Sequence, residues 1–474
     1  MNGIIHTDLC VIGAGSGGLS VAAGAAQMGA DVVLVEKGEM GGDCLNAGCV
    51  PSKALIAAAH SAQAARAGAR FGICAGEPRV DFSKVYDHIH HTIAAIAPND
   101  SVERFEGLGV RVLKSEGRFT GPRELIAGGA RVRARRYVIA TGSTAAVPPI
   151  PGLDSVEFLT NETIFDLKER PTHLIVIGGG PIGIELAQAY RRLGSKVSVV
   201  EMLSILGKDD PDAVAVIRAR LAAEGVELHE GTALSAVEQD GGDVVVSMEK
   251  DGVTFRVRGS HLLVAAGRRP VINALDLTAA GVAHSKTGIQ VDRRLRTSNK
   301  RIFAIGDVIG GYQFTHMAGY HAGIVIKNAL FRLPAKVGTG AVPWVTYTDP
   351  ELAHVGLTEA AARGQDANIR VLVHRFDDND RARTELETEG FIKVMVGPRG
   401  RVVGATIVGA HAGELILPWV LVLNEGLGIG AIANLIAPYP TLGEISKRAA
   451  GSYYTPALFG ERTRKLVRFL AKLP

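Results

Sequence analysis

Residues 9–37 and 174–202 align without a gap at an offset of 165, and this internal repeat constrains the chain more than any other feature. Gly13, Gly15 and Gly18 fall on Gly178, Gly180 and Gly183, and Glu36 falls on Glu201. Each copy reads as a buried strand, a G-x-G-x-x-G turn, a helix and a second apolar strand ending in an acid. The first glycine makes the tight turn. The second lets the backbone approach a pyrophosphate, and the third lets the helix close on the strand. The pyrophosphate sits on the helix N-terminus and the acid takes ribose hydroxyls.

Two such units in one chain imply two nucleotides and electron transfer between them. Glu36 fits the adenosine ribose of FAD. Glu201 fits NAD, and NADH is favoured over NADPH because a carboxylate repels a 2′-phosphate and Met202, Leu203 and Ser204 bring no cation.

The segment GGDCLNAGCVPSK follows the first acid and holds Cys44 and Cys49. On a regular helix two residues five apart lie about 140° apart around the axis and too far apart along it for a bridge. A redox pair here needs an irregular turn, which Gly48 can supply, with Pro51 in the first turn of the helix that follows. A helix N-terminus would stabilise a thiolate. The alternatives are two buried structural cysteines, or a zinc site, for which no matching Cys/His pair is evident. Cys10 reads as core and Cys74 as a loop residue, and no resident metal site is expected.

With 474 residues the chain has room for about three domains. Charged residues are 21% and aromatics 5%, with 58 glycines, a balance suited to parallel sheets under helices. The alternating runs 391–396 and 402–408 fit an antiparallel sheet. No targeting segment, membrane span or nucleic-acid-binding stripe is evident, so a cytoplasmic protein is expected. Two basic clusters stand out. Residues 131–136 read as the solvated part of a strand pair. Residues 462–472 read as an amphipathic helix docked on the fold, the alternatives being a membrane surface or an acidic partner.

The motif series GAGSGG, GGDCLNAGCVPSK, YVIATGS, GGGPIGIELA, VAAGRRP, RIFAIGDVIGG, TYTDPELAHVG and PYPTLGEISK resembles the FAD-dependent pyridine nucleotide–disulfide oxidoreductases along essentially the whole chain. The resemblance implies an α/β architecture with two Rossmann-like domains and a C-terminal α+β dimerisation domain. Residues 1–150 would bind FAD, 151–270 NAD(H), 271–340 would complete the FAD domain, and 341–474 would pair two copies into a homodimer with a shared active site. Cys49 would be the charge-transfer thiol beside the flavin and Cys44 the interchange thiol. Lys53 would stand near the flavin and pair with Glu185, Asp307 would bind the ribityl chain, Thr141 and Gly142 would close over FAD, and Gly117 would lie near the adenine. Glu185 and Gly267 would flank the nicotinamide nucleotide. Read without the resemblance, Lys53 and Glu185 are equally a solvated helix pair and Asp307 a turn residue.

The chain departs from part of the family at Tyr439. Dihydrolipoamide dehydrogenases and glutathione reductases have a histidine there, oriented by a glutamate five residues on, the position of Glu444. A tyrosine, with a pKa of about 10, is a poor base near neutral pH. His316, His321 and His411 lie elsewhere along the chain and read as structural. Mercuric reductases carry tyrosine at this position, but also a vicinal cysteine pair near the C-terminus. Here no cysteine follows Cys74. The expectation is an NADH-dependent, mercuric reductase-like enzyme whose acceptor is a disulfide, a metal ion or another electrophile. A dihydrolipoamide dehydrogenase running toward NAD and a flavoprotein scaffold are the competing readings.

Overall fold

The computed structural model describes residues 3–74, 76–338 and 341–473. The expected boundary after residue 340 starts at a position outside that set. Two compact units emerge, one of residues 1–202 and 227–337, the other of 203–226 and 338–474.

The first unit holds both halves of the repeat. Strand Ile4–Ile12 lies at the centre of a sheet, with Val32–Glu36 and then Val110–Lys114 on one side, Ala130–Ile139 on the other, and Ile302–Ala304 beyond it, all parallel. Strands Glu124–Ala127 and Gly117–Gly121 extend the sheet antiparallel. The short apolar strands are buried on both faces, as parallel strands under helices must be. Leu9, Val11 and Leu34 pack one face, and Cys10, Ile12 and Val33 the other. Cys10 is thus core, as its position in the apolar run implies, and burial pushes its thiol pKa up. The second half of the repeat makes a four-stranded parallel sheet in the order Glu227–Glu230, Lys196–Glu201, His173–Ile177, His261–Val264. A three-stranded antiparallel sheet, Ala233–Asp240, Asp243–Lys250 and Val253–Gly259, accompanies it.

The second unit is a five-stranded antiparallel sheet, Pro343–Thr346, Glu351–Gly356, Val402–Gly409, Phe391–Val396 and Arg370–Arg375. The runs expected as strands at 391–396 and 402–408 are two of its three inner strands, buried on both faces rather than alternating. Helices carrying Trp419 and Ile445 cover it, and the fully buried Trp419 donates its indole N–H to Ser446 Oγ at 3.0 Å. Helix Pro211–Ala223 groups with this unit through Lys393. The Lys393 side chain is buried and meets Asp210 at 2.9 Å, Asp212 at 2.6 Å and Glu359 at 3.1 Å. A buried ammonium needs such partners to offset its lost hydration.

Candidate active site

The two glycine turns are built alike. Strand Ile4–Ile12 runs into Gly13, whose φ is +103°, and a Cβ there would lie 2.3 Å from the Ala140 carbonyl oxygen. In the second copy Gly178 has φ +111°, and its Cβ would lie 2.5 Å from the Ala265 oxygen. Gly18 and Gly183 close their helices onto the strand so tightly that a Cβ would sit 1.8 Å and 2.0 Å from the carbonyl oxygens of Gly13 and Gly178. Both helices, Ser16–Gln27 and Pro181–Arg192, begin after a glycine with no side-chain cap, Gly15 and Gly180. Their first N–H groups therefore point outward, as an anion site requires. The acids close each turn from below. Glu36 accepts from the backbone N–H of Ala14 at 2.5 Å and of Gly38 at 2.7 Å, and Glu201 accepts from Gly179 N–H at 2.7 Å.

The cysteine segment is laid over the first turn. Gly41 forms a parallel bridge with Gly15 and donates its N–H to the Ala14 carbonyl at 3.0 Å. A Cβ at Gly42 would sit 2.7 Å from Gly15 Cα, so only glycine lets the two backbones cross. The chain then makes a short helix, Gly42–Asn46, breaks at Ala47 and Gly48, and starts the 19-residue helix Cys49–Ala67. Gly48 has φ −132° and ψ −113°, outside the helical region, which supplies the irregular turn that two bridgeable cysteines need. Cys49 opens the long helix with Pro51 in its first turn, and Cys44 sits in the short one.

Cys44 and Cys49 are both free thiols, and they are unequal. Cys49 is pulled down to about 6, first by the hydrogen bond from Cys44 and then by Thr315 and the Lys53 charge, with burial and Asp43 opposing. Cys44 is pushed up by the same bond to Cys49 and by burial. One sulfur is a thiolate near neutral pH while the other keeps its proton. The Thr315 hydroxyl lies 3.4 Å from Cys49 Sγ at the start of helix Thr315–Ala329. Sequence reasoning missed Thr315. Its only signal is its place a few residues beyond the GDVIGG segment, opening a helix.

Lys53 and Glu185 meet as expected. Lys53 Nζ stands 2.8 Å from Glu185 Oε2, with the carboxylate almost fully buried. The bond joins the helix that carries Cys49 to the helix of the second glycine turn. Asp307 is buried enough that its pKa is raised, with Ser143 and Arg268 opposing. Ser143 Oγ donates to it at 2.6 Å, and Arg268 Nε lies 3.9 Å away. Arg268 also reaches Asp43 Oδ2 at 3.2 Å, and Asn161 donates to Asp43 Oδ1 at 2.9 Å. This network fastens the cysteine segment to the segment that carries Gly267, and it too went unread in the sequence. Thr141 donates to the Val271 carbonyl at 2.7 Å. Gly142 and Gly267 hold φ of +68° and +120°, and nothing stands within 4 Å of where a Cβ would be, which leaves both backbones open to a ligand. Gly117 is instead packed, its Cβ direction filled by Val35, Leu125 and Ile12.

Tyr439 and Glu444 belong to the second unit. The Tyr439 hydroxyl donates to Asp380 Oδ2 at 3.1 Å, and that bond raises its pKa, the Asp380 and Glu444 charges adding to it. Asp380, not Glu444, is the carboxylate bonded to the tyrosine. Of the histidines, His321 is buried and neutral, its Nδ1 accepting from Gly306 N–H at 3.3 Å, and His316 stacks on Phe314. Among the described residues no group of three or more His, Cys, Asp or Glu is arranged to hold a metal ion, and no helix is long and apolar enough to cross a membrane.

Comparison with known proteins places this architecture. Residues 7–322 match the pyridine nucleotide-disulphide oxidoreductase family model and residues 342–450 match the dimerisation domain of the same family. The chain belongs to the pyridine nucleotide-disulphide oxidoreductases, enzymes that use FAD and NAD(P)H. It is 36% identical to a mercuric reductase of Streptomyces lividans over 458 residues, 94% of this chain and 97% of that protein. It is also 36% identical to a dihydrolipoyl dehydrogenase of Geobacillus stearothermophilus over 455 residues, 94% of this chain and 96% of that protein. Among solved structures it matches the HOCl-induced flavoprotein disulfide reductase RclA of Escherichia coli with a TM-score of 0.84 and 27% identity, over 94% of this chain and 99% of that one. RclA has also been solved as a Cu(II) complex.

Proposed function

We propose that this enzyme takes electrons from NADH and delivers them through the Cys44–Cys49 pair to a thiophilic acceptor, a soft metal ion bound as thiolate, in the manner of a mercuric reductase. The observation that carries this reading is the state of Tyr439. A neutral hydroxyl held on Asp380 can donate a hydrogen bond to a sulfur ligand but does not take up a proton near pH 7. Exchange with a dithiol such as dihydrolipoamide requires a base at that point. Reduction of a metal ion by two thiols already in the thiolate–thiol state does not.

FAD, when bound, supplies the means to split a hydride into electrons for the sulfurs. The residues that would hold it are the first glycine turn with Gly13, Gly15 and Gly18, the ribose carboxylate Glu36, the open backbone at Thr141 and Gly142, and Asp307 at the ribityl chain. Gly117, packed at the sheet edge, would contribute only its backbone near the adenine. NADH would lie on Gly178, Gly180 and Gly183 with Glu201 at its ribose and Gly267 beside it. Lys53, oriented by Glu185, would set a positive charge beside Cys49. Cys44, the thiol that keeps its proton, would meet the acceptor. When the thiolate–thiol pair closes to a disulfide, two electrons and the one proton of Cys44 leave the sulfurs, which balances the reduction of a divalent metal ion to the metal or of two copper(II) ions to copper(I). Leu417, Leu421 and Ile436, exposed in a single copy, suit a second copy, and the active form would be a homodimer.

The test is to reduce the anaerobic enzyme with NADH and then offer, separately, Hg(II) with excess thiol, Cu(II), oxidised lipoamide and glutathione disulfide. Rapid reoxidation by a metal ion and slow reoxidation by the disulfides is the expected pattern. Rapid reoxidation by lipoamide with neither metal effective would replace this reading with that of a dihydrolipoyl dehydrogenase.

A further inference from the structure

Helix Glu461–Leu470 lies beyond the residues matched by either family model, and none of its ten residues is buried. The expectation that its apolar side docks on the chain's own surface is not met. Leu466, Val467, Phe469 and Leu470 are each at least half exposed, as is Leu473 just past the helix end. At about 100° per residue these four helical side chains span an arc of about 160°. Arg464, Lys465 and Arg468 occupy about 100° on the opposite side, with Glu461 in an ion pair to Lys465 at 3.0 Å. Arg462 falls on the apolar side in the first turn, where its long stem can lie along that face with the guanidinium at the rim.

The charge distribution decides what covers this face. Residues 460–474 hold five basic side chains, Arg462, Arg464, Lys465, Arg468 and Lys472, against Glu461 alone. The whole chain has 52 basic and 48 acidic residues, so the other 459 residues hold 47 of each and are formally neutral. The entire net charge of +4 therefore sits on residues 460–474, this helix and the turn after it. A second copy laid on the apolar face would leave the basic arc, on the opposite side, without a counter-charge. A surface of anionic lipid headgroups neutralises the cations and buries the Leu/Phe face in the acyl boundary at the same time.

We propose that helix Glu461–Leu470 is an interfacial anchor that seats the enzyme on an anionic bilayer surface without crossing it. Two copies of the helix in a dimer would engage one membrane together and raise the avidity over that of a single helix.

The experiment is co-sedimentation of the full-length, FAD-loaded protein with vesicles of phosphatidylcholine containing phosphatidylglycerol, and with vesicles of phosphatidylcholine alone. Binding to the anionic vesicles that weakens with salt is expected, with little binding to the neutral ones. Arg464→Gln with Arg468→Gln should lower partitioning about 25-fold, roughly fivefold for each cation. Phe469→Ser with Leu470→Ser should abolish it. Flavin content and NADH-driven flavin reduction stay unchanged in both variants and report that the protein is folded. Absence of binding to anionic vesicles by the wild type, or equal binding to neutral vesicles, overturns the proposal. So does a fall in native mass of the Phe469→Ser, Leu470→Ser variant in analytical ultracentrifugation, which would assign the face to a second copy.

Discussion

The first and second glycine turns share one backbone and differ in what lies over it. Gly13 and Gly178 hold φ values of +103° and +111°, and each is crowded by the carbonyl just past the end of the neighbouring parallel strand. Yet Gly15 is bridged by Gly41, while the space over Gly180 is open. In the first half the chain folds its own reactive segment across the nucleotide turn. In the second it leaves the turn bare. A ligand under the first would be enclosed by its own enzyme and one at the second could come and go. The same strand–turn–helix unit is thus covered in one place and open in the other, as a resident and an exchanging nucleotide would require, and the difference lies in the thirteen-residue segment GGDCLNAGCVPSK rather than in the turn.

A methyl group inserted where each helix meets its turn separates the two sites with the largest effect. Gly18→Ala and Gly183→Ala each place a Cβ about 2 Å from a carbonyl oxygen, and backbone cannot yield to that cheaply. Gly18→Ala should purify without flavin, with the loss of yellow colour read by visible absorbance. Gly183→Ala should keep its flavin and lose reduction by NADH. If both variants lose flavin, the two turns are not functionally distinct.

Next in size is the bond that joins the two halves. Glu185→Gln removes the carboxylate from Lys53, and a hydrogen bond between charged partners is worth about 1.5–3 kcal/mol. Stopped-flow reduction by NADH should slow about tenfold to a hundredfold, with flavin content unchanged. Smaller is the effect of Glu201→Ala at the second turn, expected to shift the ratio of kcat/KM for NADH over NADPH by about tenfold toward NADPH. A ratio that does not move would free Glu201 of any part in that choice.

The smallest effect concerns the thiolate. The lowered pKa of Cys49 puts its thiolate above about pH 6, and the thiolate is lost as the pH falls through that value. Thr315→Val removes one of the hydrogen bonds that favour the charged form, so the loss should move to higher pH by about one unit. A titration of thiolate absorbance in the reduced enzyme, wild type against Thr315→Val, reads the shift directly.

Much of this was legible in the sequence, because glycine spacing and apolar runs are local. The two turns, their acids and the cysteine segment follow from residue order alone. Contacts that close over long loops left no such trace. Thr315 lies 266 positions from Cys49, and Asp43, Arg268 and Asp307 meet only once two strands and a crossover are in place. Asp380 reaches Tyr439 across 59 residues, which is why Glu444, close along the chain, looked the more natural partner. Helix Glu461–Leu470 misled for a different reason. Its pattern announces an amphipathic helix, but a pattern does not say what the apolar side rests on.

The two sulfurs are unequal, with Cys49 the thiolate and Cys44 the thiol proposed to meet the acceptor. Anaerobic titration with NADH of the wild type, Cys49→Ser and Cys44→Ser tests that order most directly, read as a long-wavelength charge-transfer band. The band should form in the wild type and in Cys44→Ser and be absent in Cys49→Ser. A band that survives in Cys49→Ser and disappears in Cys44→Ser would contradict the assignment.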